Sequence, residues 1–163
     1  GISALFDIKK IVVADGTATA QDWMPQEYDI ISTALISENY AYIGGRSEEL
    51  DAYIVKAYDM EGNHLLTFGE KGKDGDDWIA YVSQMMEIPE GFFGIDANMR
   101  DLYIWGPDAS VLGSVEAPDL FGARYAWIAG AAKQDDGSIL VALTQDRDDD
   151  SATELLLYRL SGF

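Results

Sequence analysis

The densest run of metal-capable side chains in this sequence is Asp146-Arg147-Asp148-Asp149-Asp150-Ser151. Asp146, Asp148 and Asp150 alternate as the first ligands of a calcium loop do, and their hard oxygens suit that ion. The rest of the pattern departs from it. Ser151 stands where such a loop needs glycine, and Leu157 where it needs the bidentate glutamate. A solvated acidic loop is the plainer reading. Lys71-Gly72-Lys73-Asp74-Gly75 combines lysine with glycine but has neither the spacing nor the Ser or Thr of a phosphate loop, so it reads as a turn. The single histidine, His64, follows a Gly62-Asn63 turn with no nucleophile motif near it, and no G-x-S-x-G occurs. It reads as an exposed strand residue, and the chain as more a binder than an enzyme. The absence of cysteine excludes disulfides, zinc thiolates and thiol catalysis together.

Charge narrows the partners. The formal net charge of −18 repels nucleic acid and anionic lipid at long range, and attracts cations or a basic protein. The plainer consequence is solubility. No apolar run approaches the roughly 18 residues that span a bilayer.

The residues must be positioned by strands. Two segments share one design. AYIVKAYDMEGNHLLTFGE (52–70) turns at Met60 to Asn63, and LYIWGPDASVLGSVEA (102–117) turns at Pro107 to Ser110. Each is an aromatic-rich strand, a four-residue turn and a shorter strand. Aligned on the turns, Tyr58 matches Trp105 and Leu65 matches Leu112. A third copy begins at ELLLYRLSGF (154–163). Two further strands precede each hairpin, at about 28–37 and 40–44, 79–87 and 92–97, and 125–133 and 138–144, the last pair joined by Gln134 to Gly137. Residues 79–88 contain helix formers, but the Pro89-Glu90-Gly91 turn and the repeat both favour a strand. The expected fold is a single all-β domain of four-stranded antiparallel meanders, about 28–70, 79–117 and 125–163, recurring roughly every 45–50 residues.

YDMEGNHLLTFGEKG (58–72) and DDGSILVALT (135–144) resemble six-bladed β-propellers of the NHL and TolB-like type. That resemblance implies a fold of about three blades more than a function, and an extracytoplasmic location. Three blades do not close a ring, so it further implies a half-ring completed by missing sequence or by a second copy as a homodimer, unless the sheets pack as a sandwich. Residues 3–13 (SALFDIKKIVV) are the expected closing strand for the third blade, from this chain or a partner. Calcium-dependent lactonases resemble six-bladed propellers too, and on that likeness Asp96 and Asn98 are candidate ligands.

A meander alternates strand direction, so its connections alternate between two ends. Gly45 to Asp51, Gly69 to Asp77, Ala117 to Arg124 and Gln145 to Thr153 are expected to be long loops at one end. Four of the five arginines (Arg46, Arg100, Arg124, Arg147) fall in or beside them, with Lys71 and Lys73, and Trp78, Phe121 and Tyr125 at their margins. This mixed-charge end is the expected surface for a protein, peptide or glycan, since Tyr, Trp and Arg supply contact area and directed hydrogen bonds. Ordinary pairing of each Arg with a nearby carboxylate is the competing reading.

Overall fold

The computed structural model describes residues 8–23, 30–71, 78–122, 126–146 and 153–162. Among the described residues all sheets are antiparallel, and none is closed or curled. None of the described helices is long and apolar enough to cross a membrane. The chain divides into two compact units, Gly1–Trp78 and Ile79–Phe163.

The described part of the first unit opens with a hairpin, β1 (Lys9–Ala14) and β2 (Thr17–Asp22), which among the described residues pair only with each other. Asp15 and Gly16 both have positive φ, 50° and 74°, as a two-residue turn matching strand twist requires. This differs from the expected closing strand at 3–13. Residues 9–13 pair with β2 because the Asp-Gly turn brings the local partner back at once, and residues 3–7 lie outside the described part. Next comes a meander, β3 (Ile30–Ile36), β4 (Ala41–Ser47), β5 (Ala52–Tyr58) and β6 (His64–Phe68), in sequential order. Ile8 and Trp23, flanking the hairpin, pack on Ala41, Ile43, Ile54 and Tyr58. The Trp23 indole N–H also donates to the Met60 carbonyl at 3.2 Å.

The second unit holds the other full meander, β7 (Val82–Ile88), β8 (Gly91–Asp96), β9 (Asp101–Trp105) and β10 (Val111–Glu116). A short helix, α1 (Ala117–Phe121), leads to a three-stranded sheet, β11 (Ala126–Lys133), β12 (Ile139–Asp146) and β13 (Thr153–Leu160). Phe93, Ile95 and Leu102 from the first sheet bury against Ile139, Val141 and Leu143 from the second. Alternation in β12 and β13 turns every second residue into this core.

One turn recurs three times among the described residues. The N–H groups of Asp59, Gly106 and Gln134 donate to the carbonyls four residues on, and those of Gly62, Ala109 and Gly137 donate back three residues. The returning residue has positive φ in each: 90°, 62° and 82°. Glycine fills this left-handed position twice, but alanine fills it once, at a steric cost of about 1–2 kcal/mol. Ala109→Gly is therefore expected to stabilise the fold by up to about 1 kcal/mol after glycine's extra chain entropy. A urea midpoint that falls would contradict it. In the last two turns Asp108 and Asp136 accept from the hydroxyl and N–H of Ser110 and Ser138.

The expected contrast between long and short connections does not hold within the meanders. β4 runs to Ser47 and β5 starts at Ala52, leaving four residues between them, and β8 to β9 also needs only four, Ala97 to Arg100. Gly45 to Ser47 stay in the ladder because each has a partner on β5 or β3.

Candidate functional site

Asp96, the calcium candidate, closes β8 and is fully buried. Its carboxylate accepts from the backbone N–H groups of Ala80 (2.5 Å), Tyr81 (3.1 Å), Asn98 (2.9 Å) and Met99 (2.9 Å). A carboxylate offers about four lone-pair positions, and these amides occupy them. Asp96 thus ties the segment entering β7 to the turn leaving β8. Among the described residues no group of three His, Asp or Glu is placed to hold a metal ion.

Asp96 faces Asp101 across the ladder, and Asp101 faces Glu116. Asp101 Oδ1 is buried without a hydrogen-bond donor. Burial first, then Glu116 and Asp96, push the Asp101 carboxyl above its ordinary range. A raised carboxyl favours the folded state when protonated, so this residue costs stability at neutral pH and ceases to do so as pH falls through its folded value towards about 4. Asp101→Asn is expected to melt higher at pH 7, with the gap to wild type closing on acidification. A gap independent of pH would contradict it. Asp108 and Asp136 have the opposite sign: their serine partners lower them, so their contribution is lost as pH falls below the ordinary carboxylate range.

The cations of the expected recognition end have individual roles. Arg46 pairs with Asp51 across the β4–β5 turn. Lys71 and Trp78 are exposed at the margins of the described part of the first unit. Arg100 has a left-handed backbone, φ 63°, and its guanidinium lies 5.9 Å from the Trp127 ring centroid, within cation–π range. Phe121 is no loop-margin residue: it sits in α1, packs on the core and meets the Tyr158 ring at 4.6 Å. Asp146 ends β12 opposite Thr153. Arg124, Arg147, Asp148 and Asp150, with Lys73 and Tyr125, lie outside the described residues. His64 is exposed, with Nε2 3.0 Å from both the Leu66 carbonyl and the Thr67 hydroxyl.

The feature that sequence reasoning missed is the outer face of the β11–β13 sheet. Opposite the core, the ladder aligns Trp127 with Thr144 and Leu155, Gly130 with Ala142 and Leu157, and Ala132 with Leu140 and Arg159. Of these nine residues Arg159, at one corner and paired with Asp136, carries the charge. Trp127, Leu155 and Leu157 are 56%, 67% and 65% exposed. A contiguous apolar patch of this kind marks an interaction surface, whereas a single exposed leucine does not. Its sequence signal was the unbroken Leu155-Leu156-Leu157, since a strand with one covered face alternates.

No protein-family model matches the chain, and no curated protein matches it.

Proposed function

We propose that the chain is a non-catalytic interaction module with propeller-like blades. Its working surface is the outer face of β11–β13, on which the same sheet of a second copy stacks. The observation that carries this reading is the group of Trp127, Leu155 and Leu157, large apolar side chains left exposed around the partly exposed Ala142 and Thr144 on a sheet whose other face is already buried. Blades of a propeller have both faces covered, so a sheet apolar on both sides fits that architecture and an assembly built from it. Arg100, over the Trp127 ring, stands at the rim of the surface, where a cation steers a partner more than it binds one.

The chain has no cysteine, so one introduced thiol reports one location. Leu157→Cys is expected to form a disulfide-linked dimer under mild oxidation, while Val13→Cys, equally exposed on β1, stays monomeric. Equal crosslinking of the two would contradict the reading. The calcium-dependent lactonase alternative draws no support from Asp96, whose oxygens backbone amides already occupy.

A further inference from the structure

A second surface in the Ile79–Phe163 unit has a different chemistry. β10 is the outer strand of its sheet and β13 the outer strand of the next. A groove of about 480 Å³ is lined from both, by Gly113 and Val115 on β10 and by Leu160 at the end of β13. Phe93, Leu102 and Ile104 form its apolar floor. Among the described residues, neither β10 nor the Arg159–Leu160 end of β13 has a ladder partner on its outer side. Two such edges call for a chain that brings its own N–H and C=O groups. Nothing lies within 4 Å of the position a Cβ would take on Gly113. A strand glycine with open space beside it is where another backbone can approach closely. The apolar floor demands apolar side chains at every second position of that chain.

Charge names the partner further. The charged side chain that lines the groove, Arg159, is held by Asp136 at 3.1 Å, and Asp119 adjoins the lining residue Leu120 on α1. With −18 on the whole chain, this surrounding favours lysine and arginine. We infer that the groove receives an extended, basic segment of a partner protein, which adds a strand at the edge of β13 and sets alternate apolar side chains on Phe93, Leu102 and Ile104. This goes beyond the stacking surface, because Leu155 and Leu157 point to the other face of the sheet.

The test uses the full chain at low micromolar concentration and a labelled peptide, acetyl-Lys-Val-Lys-Val-Lys-Val-Lys-amide, read by fluorescence anisotropy and by hydrogen exchange of β13. The expected result is binding at roughly tens of micromolar with slowed exchange towards the end of β13, lost at least ~10-fold on N-methylating alternate peptide amides or replacing lysine with glutamate. Gly113→Trp, which fills the groove, is expected to weaken binding by a similar ~10-fold. Equal binding of the N-methylated peptide, no binding up to about 1 mM, or slow exchange of that edge without peptide would each overturn the inference. Peptide binding by a chain whose Leu157→Cys variant does not crosslink would sink the stacking surface and leave the groove standing, and the reverse pattern would do the opposite.

Discussion

Asp96→Ala is expected to lower the unfolding free energy by about 3–5 kcal/mol, the range seen when a buried charged network loses one side of itself. The side chain is fully buried and serves four amides. Removing it leaves those N–H groups without an acceptor, each at about 1–3 kcal/mol if water does not reach it. Relaxation of the exposed turn at Asn98 recovers part of that sum, which keeps the expected total below the simple addition. Asp96→Asn should cost less but still be clearly destabilising, since an amide turns an N–H towards N–H donors. If Asp96 were instead a metal ligand, alanine would leave the metal-free protein almost unaffected. Urea unfolding in the presence of a chelator separates the two: a loss under about 1 kcal/mol would contradict the structural role.

The second large effect is expected at Gly91, where β7 turns into β8. Its φ is +144°, and an added Cβ would lie 2.2 Å from the Trp105 carbonyl oxygen and 2.6 Å from the Gly106 carbonyl carbon. Backbone cannot swing aside as a flexible side chain can. Gly91→Ala must therefore leave its backbone conformation or push β8 from the start of the β9–β10 turn, at more than about 3 kcal/mol. Trp105 is fully buried and stacks on Tyr103 with ring centroids 5.0 Å apart, so the near-ultraviolet circular dichroism should weaken too. Gly113→Ala is the matched control, with nothing near its added Cβ, and should change stability by under about 0.5 kcal/mol. Similar losses at the two glycines would show that chain entropy, not the close approach, dominates.

Much of the sheet order was legible because each strand alternates between two chemical environments and each turn carries its own residues. The expected strand at 125–133 became Ala126–Lys133, and that at 79–87 became Val82–Ile88, with helix formers overruled by the following turn. The β1–β2 hairpin was only half read. Asp15-Gly16 is a strong turn signal, but Thr17-Ala18-Thr19-Ala20 has no large apolar face, and all of β2 is exposed. Helix α1 was read as loop although Pro118 and a left-handed Gly122 bracket it, because five residues carry too little periodicity to register. The candidate site was less legible. Arginine clustering along the sequence says nothing of pairing, and Arg46 and Arg100 each found a neighbour. Leu155-Leu156-Leu157 signalled two apolar faces on β13 but not which of them the chain covers itself. That depends on register with β12 and on the sheet opposite, which are properties of the assembled fold.

The claim that the outer face of β11–β13 is a self-association surface is tested most directly by light scattering across protein concentration and salt. The chain carries −18, so repulsion between copies opposes an attraction that is apolar. The expected result is a dimer that tightens as sodium chloride rises from about 50 to about 500 mM, with Leu155→Lys/Leu157→Lys monomeric throughout. A wild-type chain that stays monomeric at every concentration and salt, or a double variant that dimerises as well as wild type, would contradict it.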